Sequence, residues 1–340
     1  RIGLGYAAMV QSAEGLPVNA PLGGLPKPQM YLATSRLCDP RLKFVEALRR
    51  YFDVPTYAYE QLCAPADIDC TDRRVLEHYV EYNARQLREF IQFLEKHTGT
   101  KLDRERLRQA VKNSIEVRRL LNAIYELRKR VPSPLPSADF CTVFWPWMWI
   151  SGQDEAVEFY RQLLEETKER VASGVGVVPE ERFRLLWAGA PHRLDMAFYN
   201  YAEKRGAVFV MEPVFDPPPL VNIDTSDPVR ALAEHIFYGM EFCNPDGSDV
   251  RWTAVGGNVL AKNVKEYQID GVVFYTVRSC RTASIGSKYW AKKLREKWDI
   301  PVLIIEGDIS DPRAYSPVKA REDFDSFLEM LSANKKLRAH

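Results

Sequence analysis

Apolar positions along this chain recur with two different periods, and the period changes three times. Met30-Tyr31-Leu32-Ala33-Thr34 and residues 54–59 read as short buried strands. Between them Phe44, Val45 and Leu48 share one face of a helix predicted over about 41–52. Residues 73–130 then take up a helical period. The pattern predicts two long amphipathic helices, about 73–97 and 103–130, with Gly99 ending the first and Asp103 capping the second. Leu107, Val111, Ile115, Leu120, Ile124 and Leu127 form the apolar stripe of the second, and the charges opposite read as a solvated face. Pro132, Pro134 and Pro136 break the run, and another helix is predicted over about 154–172.

Gly174-Val175-Gly176-Val177-Val178-Pro179 follows it. It lacks a third glycine and has proline where a phosphate-binding helix would open, so it reads as a loop. Beyond Phe183, strands and helices alternate regularly. Strands are predicted at Arg184–Ala188, Ala207–Met211, Gly271–Val277 and Pro301–Ile305. Helices are predicted at Leu194–Lys204, Pro228–Tyr238, about 255–268, Ser284–Trp298 and after the Ser316-Pro317 opening. Such alternation implies a parallel sheet with helices on both faces. The expected fold is α/β: two doubly wound, mainly parallel-sheet domains with a helical segment between them. The boundaries are an incomplete N-terminal α/β domain over 1–70, the helical segment over 71–180 and a C-terminal α/β domain over 181–340.

Composition narrows the class. The 340 residues suffice for two cores. A formal net charge of +1 gives no bulk field favouring nucleic acid or an anionic membrane. No run approaches the roughly twenty apolar residues of a membrane span, and no signal-peptide pattern opens the chain. A cytoplasmic protein with no membrane or nucleic-acid partner is expected. The chain starts at Arg1 without methionine, so an upstream segment of the first domain is expected to be missing.

The six cysteines, at 38, 63, 70, 141, 243 and 280, include no C-x-x-C pair. Reduced thiols are the default in a large chain of this kind, and an isolated cysteine is commonly a small buried hydrophobe. Two of them have a stronger position. Ser35-Arg36-Leu37-Cys38-Asp39 and Arg278-Ser279-Cys280-Arg281 both follow a predicted buried strand and precede a helix. Ligands collect at the carboxyl ends of strands in open α/β sheets. A helix N-terminus, with Arg278 and Arg281 nearby, favours a thiolate over a thiol. A thiolate there is a nucleophile or a metal ligand. None of the five histidines is close in sequence to either cysteine, although His192, read as a polar loop residue, also follows a strand. Zinc sites usually show tighter spacing. Iron–sulfur ligands are often far apart in sequence, which favours a cluster without establishing it. Arg278, Ser279 and Arg281 are candidate substrate-binding residues. Glu306 and Asp308 stand at another strand end, as ligand groups or as caps of the next segment. The run Trp145-Pro146-Trp147-Met148-Trp149 reads as a core or interface plug, or as the wall of an aromatic pocket.

The segment Gly23-Gly24-Leu25-Pro26-Lys27-Pro28, the strand after it, Cys38-Asp39 and Val54-Pro55 resemble the 2-hydroxyacyl-CoA dehydratase / benzoyl-CoA reductase family. So does the C-terminal block: Asp270-Gly271-Val272-Val273-Phe274, Arg278-Ser279-Cys280-Arg281, Gly286, Ile300-Pro301-Val302, Glu306-Gly307-Asp308 and Asp311-Pro312-Arg313-Ala314-Tyr315-Ser316. Arg281 and the Arg313-Ala314-Tyr315 segment look most like the larger cluster-bearing subunit of ATP-dependent benzoyl-CoA reductases.

The resemblance implies an iron–sulfur cluster, commonly 4Fe–4S, with Cys38 and Cys280 as ligands. The family usually adds a cysteine upstream of the Gly-Leu-Pro segment, and residues 1–37 contain none. That ligand precedes Arg1, or Cys63, Cys70, Cys141 or Cys243 substitutes. The implied partners are a homologous or identical second subunit, an ATP-hydrolysing iron–sulfur activator and an acyl- or aroyl-CoA. The absence of a Walker-type motif fits an electron acceptor. The expected chemistry is benzoyl-CoA-type ring reduction through a ketyl radical. The alternatives are an (R)-2-hydroxyacyl-CoA dehydratase subunit, a double-cubane reductase of small molecules, and a non-catalytic partner subunit.

Overall fold

A computed structural model describes residues 28–35, 39–50, 52–60, 62, 72–192, 194–215, 217, 220–240, 257–280, 284–309 and 311–338. Two parallel sheets lie at either end of a helical middle, as the α/β reading expected. The first pairs β1 (Tyr31–Thr34) with β2 (Thr56–Tyr59), joined by α1 (Asp39–Leu48). Its core is small: Tyr31, Val45, Leu48 and Phe52.

The middle begins with α2 (Arg73–Thr98) and α3 (Arg104–Arg128). Their ends follow local chemistry. Asp72 and Asp103 accept backbone N–H groups of the first turns, and Gly99 takes the left-handed conformation at φ 71° that closes α2. Next come α4 (Ser137–Val143), α5 (Trp145–Ile150) and α6 (Asp154–Ala172). Only part of the tryptophan run plugs the core. Trp147 packs inward, but Trp145, Met148 and Trp149 are exposed, and the Trp145 and Trp149 rings stack at 6.1 Å on the outside. The i, i+4 spacing puts those two rings on one face of so short a helix.

The second sheet holds β3 (Phe183–Gly189), β4 (Ala207–Met211), β5 (Gly271–Val277) and β6 (Val302–Gly307), all parallel, in the order β4-β3-β5-β6. Alternate side chains go to opposite faces. Leu186, Ala188, Val208, Val272 and Phe274 face a core shared with α3, α6 and α10 (Ser287–Trp298). Leu185, Trp187, Phe209, Val273 and Tyr275 face a second core, closed by α7 (Ala197–Glu203) and α11 (Pro317–Arg338). Burying both faces makes these strands near-continuous apolar runs. Between β4 and β5, α8 (Pro228–Met240) packs on α2 and α3, and α9 (Gly257–Glu266) follows. α10 begins at Ser287, three residues later than the hydrophobic pattern predicted. Among the described residues no helix is long and apolar enough to cross a membrane.

One buried ionic network ties the helical middle to the sheet. Arg128 of α3 meets Glu212, just past β4, through Nη1 at 2.6 Å and Nη2 at 2.8 Å. Both side chains are shut off from water. Tyr125 and Ser137 donate to the same carboxylate. Burial opposes the Arg128 charge, but the facing Glu212 carboxylate outweighs it and holds the guanidinium pKa above its ordinary value.

Candidate functional site

The chain leaves β3 toward β4 on one side and reaches β5 on the other, so the strand order reverses between β3 and β5. In doubly wound sheets the ligand crevice opens at the carboxyl ends of such a pair. His192 follows β3, Cys280 follows β5 and Asp308 follows β6.

Cys280 ends a tight turn in which its N–H donates to Val277 O at 3.1 Å. The side chain is buried, within the core facing α7 and α11. Two clamps fix the turn. Val277 N–H donates to Ser284 Oγ, and Ser284 Oγ–H donates back to Val277 O, both at 2.8 Å. On the other side Ser279 N–H donates to Asp308 Oδ2 at 3.0 Å. Asp308, itself buried, also accepts Asp311 N–H at 3.3 Å through Oδ1. Of the two roles expected at this strand end, Asp308 takes the cap. It caps the Cys280 loop as well as its own. Glu306 stays exposed, 3.6 Å from Arg278, so the Arg278 charge faces a carboxylate and is also exposed.

Glycines let these loops converge. Tyr275 OH reaches across Gly307 to donate to Asp308 O at 2.9 Å, and a Cβ on Gly307 would occupy the place of that hydroxyl. Gly189 ends β3 at φ 100°, where a Cβ would run into the Tyr275 carbonyl.

His192 is not the polar loop residue that its neighbours in sequence suggested. It is fully buried, its ring 4.5 Å from Tyr275 and 4.4 Å from Tyr315, with Trp187 stacked at 5.8 Å. Neither ring nitrogen has a hydrogen-bond partner among the described residues. Burial drives its pKa down to about 4, against the opposing pull of Asp195. Asp195 is occupied elsewhere: Tyr315 OH donates to it at 3.0 Å and Arg321 pairs with it at 2.8 Å.

Of the sequence-predicted site residues, Arg278, Ser279 and Cys280 share one turn. Cys38, Arg281, Cys63, Cys70 and Cys243 lie outside the described residues. Cys141 lies on α4, partly buried, with its thiol against the Tyr199 hydroxyl. The pKa of Tyr199 is raised, first by burial and then by Cys141. α10 starts seven residues beyond Cys280. Sequence reasoning missed the roles of Ser284 and Tyr275, whose contacts come from the fold and leave no local signal. Among the described residues no group of three or more His, Cys, Asp or Glu is placed to hold a metal ion. Cys280 offers a soft sulfur donor at a strand end. The described residues alone do not complete a ligand set.

Residues 5–331 match the family described as 2-hydroxyglutaryl-CoA dehydratase, D-component. The chain belongs to this family. It is 27% identical to a benzoyl-CoA reductase subunit of Thauera aromatica over 92% of its own length and 72% of the relative's. It is 24% identical to the (R)-2-hydroxyisocaproyl-CoA dehydratase alpha subunit of Clostridioides difficile, covering 92% of this chain and 74% of the relative. The lactoyl-CoA dehydratase alpha subunit of Anaerotignum propionicum is also 24% identical, covering 98% and 78%. Other 2-hydroxyacyl-CoA dehydratase alpha subunits match at lower identity. The expected family membership is thus established, and most of these relatives are named as dehydratases.

Proposed function

We propose that this chain is a subunit of an (R)-2-hydroxyacyl-CoA dehydratase-type enzyme, which removes water from a CoA thioester. The balance of named relatives supports this over the benzoyl-CoA reductase reading from the sequence. The observation that carries it is the buried Cys280, held on both sides at the carboxyl end of a central strand beside the β3–β5 reversal. Cys280, with Cys38, would hold an iron–sulfur cluster, which when bound supplies single electrons at low potential.

The chain's own residues set the stage for that chemistry. Ser284 and Asp308 fix the backbone on either side of the thiol, so that a ligand bound there meets a fixed sulfur. Cys280 shares its buried core with Val277, Tyr275 and Ile305, an apolar surrounding that keeps water from the thiol. The aromatic box round His192 extends that surrounding to the end of β3. The exposed Arg278 stands at the mouth, available to a phosphate of CoA. An ATP-hydrolysing iron–sulfur activator and a second, homologous subunit complete the proposed enzyme, in the cytoplasm.

The second reading, benzoyl-CoA-type ring reduction, is favoured by the 27% identity to the reductase subunit. Anaerobic assay of the assembled enzyme with activator and ATP separates the two. Dehydration of a 2-hydroxyacyl-CoA such as lactoyl-CoA, without dearomatisation of benzoyl-CoA, is the expected result. Turnover of benzoyl-CoA alone would replace the first reading with the second.

A further inference from the structure

His192 is a polar group in an aromatic box. Its side chain is shut off from water, and neither ring nitrogen meets a hydrogen-bond partner among the described residues. The walls come from four elements of the fold: Trp187 on β3, Tyr275 on β5, Phe198 on α7 at 5.8 Å, and Tyr315 past β6. An unmatched buried donor and an unmatched buried acceptor each cost free energy. A phenyl ring would fill the same box without that cost. The imidazole is therefore suited to a group that enters the box and meets its nitrogens.

The place is that of a ligand contact. Gly189, the last residue of β3, pairs in register with Tyr275 of β5. His192 stands three residues beyond the first and Cys280 five residues beyond the second. The His192 ring lies against Trp187 and Tyr275, two side chains of the core that also holds Cys280. On its outer side Tyr315 is partly exposed, and Pro312 and Arg313 just before it are exposed. Tyr315 is fixed there through its hydroxyl, which donates to Asp195 at 3.0 Å. The box also selects what it can take. An anion pushed between aromatic walls beside a neutral imidazole would lose its water without gaining a counter-charge. A neutral imidazole has one donor and one acceptor nitrogen, so a hydroxyl can meet it either way round.

We propose that His192 is a specificity-determining residue that receives the 2-hydroxyl of the acyl group, with Tyr315 moving aside to admit it. The proposal rests on the reading of this chain as a 2-hydroxyacyl-CoA dehydratase subunit. A site that hydrogen-bonds a hydroxyl rejects the analogue without one, because the site's own polar group is then left unpaired.

The test uses the assembled enzyme without activator, so that binding is read apart from turnover. Calorimetry gives dissociation constants for lactoyl-, 2-hydroxyisocaproyl- and phenyllactyl-CoA, each beside the thioester that lacks the 2-hydroxyl. The parent should hold its best hydroxy thioester about tenfold more tightly than the deoxy partner. His192→Phe, which fills the box, should bind both alike at the deoxy affinity. His192→Gln, which keeps a donor and an acceptor, should retain part of the preference. Carbethoxylation of His192, followed by mass spectrometry, should be several times faster in Tyr315→Ala and should slow when the hydroxy thioester is bound. A parent without preference would overturn the proposal, as would a His192→Phe protein that keeps it. Equal weakening of both thioesters in His192→Phe and His192→Gln would also overturn it, by assigning the ring a merely structural part. So would labelling that neither Tyr315→Ala nor the hydroxy thioester alters. Turnover of the parent with activator and ATP is measured separately. A His192-dependent preference in a parent that dehydrates none of the three thioesters would sink the functional reading and leave the hydroxyl contact standing.

Discussion

The two parallel sheets of this chain are built from the same unit, strand–helix–strand, yet they differ in how firmly they are held. β1 and β2 have four residues each, most of them only half-covered, over a core of Tyr31, Val45, Leu48 and Phe52. β3 has seven residues, all buried, and β5 has seven with Thr276 alone partly open. The larger sheet has a core on each face and an ion pair fastening it to α3. A strand end can hold a side chain in place only as well as its own strand is fixed. At the better-held sheet Cys280, Asp308 and His192 stand at neighbouring strand ends.

Breaking the fastening should have the largest effect. Arg128→Leu leaves Glu212 buried without its counter-charge and should cost about 3–5 kcal/mol. Thermal unfolding would show this as a large loss of Tm. A small loss would mean that the network contributes little to holding the second sheet.

The next effect is local. Asp308→Ala removes the acceptor of Ser279 N–H and Asp311 N–H, at a cost of about 1–3 kcal/mol. The Cys280 loop should loosen, and Cys280 should react with a maleimide several times faster, while Asp308→Asn should fall between. Equal labelling rates in all three proteins would show that Asp308 does not hold this turn.

The smallest effect is titration. The folded-state pKa of His192 is about 4, below the ordinary 6.5. Below pH 6.5 the unfolded chain takes up a proton that the folded chain refuses. Stability is therefore intact above pH 6.5 and falls between pH 6.5 and about 4, by at most about 3 kcal/mol from this residue. His192→Phe should flatten that slope in urea unfolding across the same pH range. An unaltered slope would assign the acid sensitivity to other groups, His235 among them, whose pKa burial lowers to about 3.

Legibility in the sequence follows the same contrast. Strands covered on both faces announce themselves as apolar runs, and Gly271–Val277 was read without error. The Gly99 and Asp103 boundaries are legible because caps are local chemistry. That Cys280 follows a buried strand is legible in the sequence. What surrounds it is not. Asp308 had two readings until the fold brought Ser279 to its carboxylate across 29 residues. His192 was misread because its burial comes from Trp187, Tyr275 and Tyr315, which lie on three separate segments. Which residues of the Trp145–Trp149 run meet the core is not legible, because apolar content alone does not say which face of a six-residue helix packs inward.

The central claim is that Cys280 is a cluster ligand at this strand end. Iron and acid-labile sulfide, measured per chain in the enzyme isolated without oxygen, test it most directly when the parent is compared with Cys280→Ser. The expected result is a brown parent with about four irons and a Cys280→Ser protein that keeps its fold by circular dichroism but loses most of that iron and the colour. An iron-free parent, or equal iron in both proteins, would contradict it.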